Sequence, residues 1–350
     1  MPHTELSLGE FIPKPRLWVK ETTVLSPRFP VIDAHNHLGE TFGGGWCNRP
    51  VSELLEVLDE AGVRVLVDLD GGWGEDILYQ RLDTYKAIAP DRFCFFGGVD
   101  WAAWPDHGDR FGEWSAVGLR RQAARGAQGL KIWKSFGLHM RDQHKALVPV
   151  DDPRLDPIWE TAAELNLPVL IHVADPVAFF DPLDATNERW EELNANPDWH
   201  FPNPPFPPFI TILEQLANLV DRHPATTFIG AHVGCYAENL EWVGQLLDSC
   251  HNFDIDIAAR IGELGRQPYT AHRFFQRHQD RILFGLDCPP DLACYRLYYR
   301  FLETDDEYFN YDLVDPPQQG RWRIYGLHLP DDVLEKVYYL NARRVLNIDK

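Results

Sequence analysis

The sequence predicts an α/β protein built as a (βα)8 TIM barrel, in which eight parallel strands close into a ring covered by helices. Short apolar runs rich in Val, Ile and Phe recur eight times after residue 30, and each precedes a longer segment with helical spacing. The 350 residues, 45% of them apolar, suit one barrel as well as two small domains, so the repetition decides. The predicted strands cover residues 31–35, 64–69, 93–99, 129–133, 168–173, 226–232, 252–257 and 281–287.

The segments between these runs have the pattern of amphipathic helices. In residues 52–62, Leu54, Leu55 and Leu58 share one face, and Gly62 ends the helix. The same pattern recurs in residues 155–166, 210–222 and 240–250. Apolar strands alternating with helices indicate a parallel sheet, and eight repeats are the number that closes a barrel. A doubly wound open sheet is the alternative, but no GxGxxG follows an early strand.

We expect an N-terminal extension over residues 1–29 and one barrel domain over residues 30–350. Long loop insertions are predicted after strand five, at residues 174–209, and after strand eight, at residues 288–330. Both follow the carboxyl ends of strands, where barrels carry their active sites. Their aromatic residues either wall the pocket or pack the loops onto the helix ring, and we expect packing for most of Phe179, Phe180, Trp190, Trp199 and Phe201.

The composition excludes several classes of partner. The 33 basic and 53 acidic residues give a formal charge of -20, which repels nucleic acids and anionic membranes, although a solvated surface is the simpler explanation of the acidity. No apolar run approaches the about 20 residues of a membrane helix, and no secretory signal is visible. The six scattered cysteines lack CxxC spacing and are typical of reduced thiols. We expect a cytoplasmic protein.

The strongest local motif is an HxH sequence in which His35 and His37 end the first predicted strand. In an extended chain residues i and i+2 point to the same side, so the two imidazoles converge on one point, as metal chelation requires. An isolated HxH motif is weak evidence.

Polar residues recur at other predicted strand ends, which strengthens this interpretation. His172 ends strand five, His232 ends strand six and Asp287 ends strand eight. In a closed barrel these ends are neighbours on one rim. Burying imidazoles and a carboxylate together is costly without a compensating ion or catalytic hydrogen bonds, so the cluster predicts a metal site.

These motifs resemble those of the amidohydrolase superfamily, specifically its amidohydrolase-related (family 2) branch, which includes proteins like aminocarboxymuconate semialdehyde decarboxylase. The resemblance extends from about residue 30 to a terminal helix at residues 331–346. It implies a metal-dependent enzyme but no single reaction, because the branch contains hydrolases, lactonases, a hydratase and non-oxidative decarboxylases.

The resemblance implies that His35, His37 and Asp287 bind one divalent cation, zinc with manganese as the alternative, and that His172 is a further ligand. His232 would lie beside the metal-bound water, which makes Asp287 and His232 the implied catalytic residues. Relatives commonly carry Thr or Ser before the strand-eight aspartate, whereas this chain has Leu286, which puts a hydroxyl contribution there in doubt.

Two basic residues are candidates for substrate binding. Lys131, on strand four, has three interpretations: a cation for a substrate carboxylate, a carbamate bridging two metals as in binuclear relatives, or a partner of Asp100 or Asp70. Arg260, just after strand seven, could bind an anionic substrate group or form a salt bridge with Glu263 or another nearby acid.

Three functions are consistent with these residues. The first is hydrolysis of an ester, lactone or amide of a small molecule, in which Asp287 takes the proton of a metal-activated water and His232 stabilises the oxyanion. The second is non-oxidative decarboxylation of a small aromatic or unsaturated acid, in which Asp287 or His232 protonates carbon. The third is a catalytically silent barrel, against which the five polar strand ends argue. The resemblance also implies a homodimer.

Overall fold

In the computed structural model, which describes residues 5–348, the chain forms the predicted (βα)8 barrel. All strand pairs are parallel, and the strands follow one another around the ring in chain order. The doubly wound alternative is therefore wrong. The strands are β1 Val31–Asn36, β2 Val63–Asp68, β3 Phe93–Gly97, β4 Gly129–Ile132, β5 Val169–Ile171, β6 Phe228–Gly230, β7 Phe253–Asp256 and β8 Ile282–Leu283.

Two backbone hydrogen bonds close the ring between its last and first strands. The amide of Ala34 donates to the carbonyl of Phe284, and the amide of Asp287 donates to the carbonyl of His35, each at 2.9 Å. Gly285 permits this approach, because a β-carbon there would lie 2.9 Å from the β-carbon of His35. The closure thus fixes the spacing between two of the predicted ligands.

One principal helix follows every strand, as the alternating pattern predicts. The first of these helices has Leu54 and Leu58 on its buried face and ends at Gly62, whose φ of 76° is the left-handed conformation that glycine adopts readily. The eight helices are α1 Val51–Ala61, α2 Glu75–Arg81, α3 Phe111–Arg125, α4 Asp156–Glu164, α5 Phe209–Arg222, α6 Leu240–Ser249, α7 Pro268–Arg277 and α8 Leu292–Glu303.

The C-terminal segment closes the amino-terminal end of the barrel. It consists of α9 Asp331–Glu335, a π-helical turn Lys336–Leu340 and α10 Asn341–Val345. Asn341 donates to the carbonyl of Ile282 at 2.8 Å, and Leu346 packs with the apolar side chains inside the barrel. Within residues 5–348 no helix is both long and apolar enough to span a bilayer.

The insertion after β8 begins later than predicted. The first part of residues 288–330 forms the barrel helix α8, in which Tyr295, Tyr298, Tyr299 and Leu302 are buried with helical spacing. This apolar face was missed in the sequence because tyrosine was counted as a polar loop residue. In the structure the tyrosine rings are buried like other apolar side chains. Residues 304–330 then form the long connection.

The insertion after β5 contains a short helix, Trp190–Ala195. Its aromatic residues pack against one another, and the expected packing onto the helix ring is seen for Phe180, whose ring centroid lies 5.2 Å from that of Phe209 in α5. The ring centroids of Phe179 and Trp199 are 6.3 Å apart and those of Phe180 and Phe201 are 5.4 Å apart. The described part of the N-terminal extension, residues 5–29, forms neither helix nor strand.

Candidate metal centre

The polar side chains predicted from the strand ends meet at the carboxyl-terminal rim of the barrel. Oδ1 of Asp287 lies 3.8 Å from Nε2 of His35 and 3.3 Å from Nε2 of His37, and Oδ2 of Asp287 lies 3.6 Å from Nε2 of His232. The ring of His172 lies against that of His232, with centroids 4.4 Å apart. The four histidines are buried, whereas the Asp287 side chain is 20% exposed, so the cluster opens to solvent beside Asp287.

A hydrogen bond at Nδ1 orients three of these histidines. The contacts join Nδ1 of His35 to Asp256 at 2.8 Å, Nδ1 of His37 to Asp70 at 2.9 Å, and Nδ1 of His232 to the carbonyl oxygen of Ala258 at 2.8 Å. Because carboxylate and carbonyl oxygens accept hydrogen bonds, each ring carries a proton on Nδ1 and directs Nε2 towards Asp287.

Burial and neighbouring charges set the protonation of the cluster. Burial lowers the pKa of His35 and His232 well below 6.5, so both rings are neutral. Burial also acts to lower the pKa of His37, but hydrogen bonds to Asp287 and Asp70 outweigh it and raise that pKa to about 9. Burial acts to raise the pKa of Asp287, but the surrounding histidines hold it well below 3.8.

A divalent metal ion fits this arrangement. The Nε2 atoms of His35, His37 and His232 face the Asp287 carboxylate, and of these atoms only Nε2 of His37 carries a proton. The remaining atoms are all acceptors, and a cation between them would stabilise such a set. Ligand atoms of His35, His232 and Asp287 lie within 4.8 Å of one another. Imidazole and carboxylate together suit zinc and also manganese. His232, expected beside a metal-bound water, is thus at ligand distance itself.

His37 and His172 lie outside this close group of three, but Nε2 of His37 is 3.3 Å from Asp287, whereas His172 makes no such contact. The Nε2 atom of His172 is 3.4 Å from Oδ1 of Asp175, and Oδ2 of Asp175 accepts a hydrogen bond from Lys134. Within the described chain this Nε2 is buried and makes no hydrogen bond. His172 is therefore adjacent to the centre, and its Nε2 lies near Asp175, whereas the Nε2 atoms of His35 and His37 lie near Asp287.

The backbone at two cluster residues adopts the left-handed conformation. His232 has a φ of 56°, the following Val233 has a φ of 61°, and Asp287 has a φ of 51°. Each such residue costs on the order of 1–3 kcal/mol, and a β-branched residue such as Val233 is rarely found there. The surrounding barrel stabilises this geometry, which turns the His232 and Asp287 side chains towards each other.

The two predicted substrate-binding cations are buried on this rim. Nζ of Lys131 lies 3.4 Å from Nε2 of His35, and burial lowers the Lys131 pKa to about 8. The Arg260 guanidinium donates one hydrogen bond, at 2.8 Å, to the carbonyl oxygen of Ala259. In residues 5–348 neither cation has a carboxylate oxygen within 4.0 Å, so neither the suggested pairing of Lys131 with Asp100 or Asp70 nor that of Arg260 with Glu263 is formed.

Supporting acids are the main feature that the sequence analysis missed. Asp70 accepts hydrogen bonds from His37 and from the amides of Leu38 and Gly39, and Asp256 accepts from His35 and from the amide of His232. Both acids lie at or just beyond strand ends, the same signal that identified the histidines. Asp68, behind His37, is also close enough to form a ligand group with His37 and Asp70, but Arg81 lies 3.5 Å from its carboxylate, which makes a supporting role the better interpretation.

An aromatic stack, the second feature missed, borders the centre. Trp133 stacks on the imidazole of His37 at 5.1 Å, and Trp73 stacks on Trp133 at 3.9 Å. The ring centroid of Phe42 lies 6.2 Å from that of Trp133, so Phe42 extends the stack to the surface. These residues follow β1, β2 and β4, so only the closed ring brings them together, and no local pattern marks them.

Comparison with known structures gives the same fold. A 2,6-dihydroxybenzoate decarboxylase from Rhizobium aligns with 92% of this chain and 100% of its own, at a TM-score of 0.57 and 15% identity. A dihydroxybenzoic acid decarboxylase from Polaromonas sp. JS666, with bound manganese and the inhibitor 2-nitroresorcinol, aligns with 92% of this chain and 98% of its own. The TM-score is 0.56 and the sequence identity is 15%. A 5-carboxyvanillate decarboxylase from Sphingomonas paucimobilis aligns with 92% of this chain and 100% of its own, at a TM-score of 0.52 and 15% identity. Among curated proteins none matches this sequence significantly.

The fold and the rim define a (βα)8-barrel enzyme with candidate ligands for a divalent metal ion. The family model described as amidohydrolase matches residues 32–348, nearly the whole chain, and the protein therefore belongs to the amidohydrolase family.

Proposed function

We propose that this enzyme is a metal-dependent, non-oxidative decarboxylase of a small aromatic carboxylic acid. The observation that carries the proposal is the pair of buried cations, Lys131 and Arg260, which lie on the rim of the metal centre without a carboxylate partner in the described chain. A buried charge without a partner is costly, so an anionic substrate that completes both pairs would be bound strongly.

The aromatic stack and the related structures support the same substrate class. Trp133 is almost buried, at 9%, whereas Trp73 is 54% exposed, so the stack leads from the surface to His37 and offers a flat wall to a planar ring. The similar structures from Rhizobium, Polaromonas and Sphingomonas are described as decarboxylases of aromatic acids.

The residues divide the work as follows. His35, His37, His232 and Asp287 would hold the ion, with His172 available as a further ligand, and the bound ion supplies positive charge that orients the substrate carboxylate. Lys131 and Arg260 bind the anionic groups of the substrate. The bond between the carboxyl carbon and the ring breaks, its electron pair stays on the ring carbon, and carbon dioxide leaves. Asp287 is ionised and His232 is neutral, with its proton on Nδ1, so one of them first takes up a proton from solvent and then delivers it to that carbon.

Hydrolysis is the second candidate, and the state of Asp287 favours it. The carboxylate is ionised, partly exposed and therefore placed to take a proton from water, as the hydrolysis of an ester, lactone or amide requires. Two metal ions per chain, with Lys131 as a bridging carbamate, would also favour hydrolysis.

The test loads metal-free protein with zinc or with manganese and measures metal per chain, carbon dioxide release from 2,6-dihydroxybenzoate and 5-carboxyvanillate, and hydrolysis of a panel of esters and lactones. We expect one ion per chain and carbon dioxide release without hydrolysis. Arg260→Gln should raise KM about tenfold, since it removes one charged contact to the substrate. The matched control is Arg277→Gln, because Arg277 is exposed on the outer helix α7 and pairs with Asp248.

Hydrolysis of an ester or lactone, with no carbon dioxide from any acid tested, would reject the decarboxylase and support the second candidate. Equal KM values for Arg260→Gln and Arg277→Gln would remove Arg260 from the substrate site.

A further inference from the structure

The availability of Arg260 is unusual, because several carboxylates surround it. Glu263 follows it by three residues in the helical turn Ile261–Leu264. Arg260 is also close enough to Glu192 and Glu238 to oppose the rise in pKa that burial causes in both. An arginine and a glutamate at i and i+3 are natural partners, and a buried pair would satisfy both charges. Some other group must therefore keep these carboxylates from Arg260.

That group is Arg189, from the insertion after β5. Its guanidinium is almost fully buried, at 1% exposure. One nitrogen lies 2.8 Å from Oε2 of Glu192, and the other donates to Oε1 of Glu263. The Trp322 ring covers the guanidinium at 5.2 Å. Arg189 thus binds two of the three carboxylates that could pair with Arg260, and Glu238 accepts a hydrogen bond from the amide of Val177 instead.

Glu263 keeps one unsatisfied oxygen. Its Oε2 is buried and makes no hydrogen bond within residues 5–348. A buried carboxylate oxygen without a donor is attracted to the nearest free cation. Arg266 is not free, because it binds both oxygens of Glu188 at 2.7 and 3.0 Å and stacks on Trp322. Arg260 is the cation that Glu263 would bind if Arg189 released it.

We infer that Arg189 is a positioning residue that holds Glu263 away from Arg260 and so keeps Arg260 free for the anionic group of the substrate. The inference rests on the proposed function, since it assumes an anionic substrate at Arg260. Arg189 belongs to the long insertion after β5, so through this residue the insertion affects the affinity for the substrate.

Removal of Arg189 has a specific expected effect. In Arg189→Met, Glu263 turns to Arg260, and the affinity for an anionic ligand falls about tenfold while kcat at saturation changes less than threefold. Adding Glu263→Gln removes the competing charge and returns the affinity to within about threefold of wild type. A residue that only stabilised the insertion would give no such rescue.

The test measures benzoate binding to the metal-loaded enzyme by calorimetry for wild type, Arg189→Met and the Arg189→Met/Glu263→Gln double variant, and determines the crystal structure of Arg189→Met. We expect weak binding only in the single variant, and a Glu263 to Arg260 ion pair in its structure. Equal affinities, a double variant as weak as the single one, or a crystal structure with Glu263 and Arg260 apart would overturn the inference.

The outcome is separable from that of the proposed function. Benzoate binding with the expected rescue, but without carbon dioxide release from any acid, rejects the decarboxylase and keeps the inference. If wild type does not bind benzoate, the crystal structure alone decides. If Arg189→Met does not fold, Arg189→Lys replaces it, with an expected weakening of about threefold that Glu263→Gln reverses.

Discussion

The two ends of the barrel both contain acidic and basic side chains, but they differ in how these side chains are paired. At the amino-terminal end Asp254 lies 3.3 Å from Arg281 and 2.7 Å from Arg344, so the acid and its bases are matched. At the carboxyl-terminal rim the acid Asp287 faces Nε2 atoms, and the cations Lys131 and Arg260 have no acid partner in the described chain. The mismatched end is where barrels of this kind carry their chemistry, and the matched end stabilises the fold.

The largest expected effect separates the two aspartates. Asp287→Asn should abolish stoichiometric metal binding and lower kcat/KM by at least about 10³, because it removes the carboxylate shared by three histidines. Asp254→Asn is the matched control, since it alters a buried aspartate at the opposite end and should keep both metal and turnover. Metal analysis and steady-state kinetics check this. Retention of metal in Asp287→Asn would contradict the assignment of the centre.

A core substitution at the amino-terminal end should change stability alone. Leu346 is buried, at 4%, with the apolar side chains inside the barrel, so Leu346→Ala should lower the free energy of unfolding by about 2–4 kcal/mol. Leu340→Ala, at a half-exposed position of the same C-terminal segment, should change it by less than about 1 kcal/mol. Urea unfolding gives the stability. Loss of metal in folded Leu346→Ala would show that the two ends are not independent.

The smallest expected effect has the opposite sign. Burial lowers the pKa of Lys131 to about 8. At pH 7 the folded, metal-free protein therefore buries a charged amine that is better solvated in the unfolded chain, which lowers the free energy of unfolding. Lys131→Met should raise the free energy of unfolding by about 1–3 kcal/mol at pH 7. The gain should shrink as the pH rises from about 8 towards 10.5, where the amine becomes neutral in the unfolded chain too.

Urea unfolding of the metal-free protein at pH 7 and pH 10 measures this effect, with Lys20→Met as the control. Lys20 is exposed and pairs with Asp305 on the surface, so its replacement should change stability by less than about 1 kcal/mol. A destabilised Lys131→Met would mean that the buried amine contributes to the fold.

The fold followed from local patterns, and the site followed only in part. The eight strands and Gly62 carry periodic or conformational signals along a few residues, so they could be predicted. The histidines could be predicted because strand ends converge. The pairing of Arg189 with Glu263 joins residues 74 positions apart, and no local pattern contains it.

The orientation of single side chains was equally hidden from the sequence. His172 ends its strand as His35 does, yet its Nε2 lies against Asp175 in the following loop. The difference arises from a neighbouring acid and from Lys134, whose contacts depend on the path of the loop. Strand position therefore predicts that a residue reaches the rim, and the loops decide which atom it presents.

The bond between the amide of Asp287 and the carbonyl of His35 has a consequence for how the protein is made. His35 and His37 are translated well before Asp287, because β1 precedes β8 in the chain. The candidate ligands of these two strands can therefore meet only after β8 has been synthesised. The geometry of the candidate metal centre thus depends on closure of the barrel and not on any one local segment.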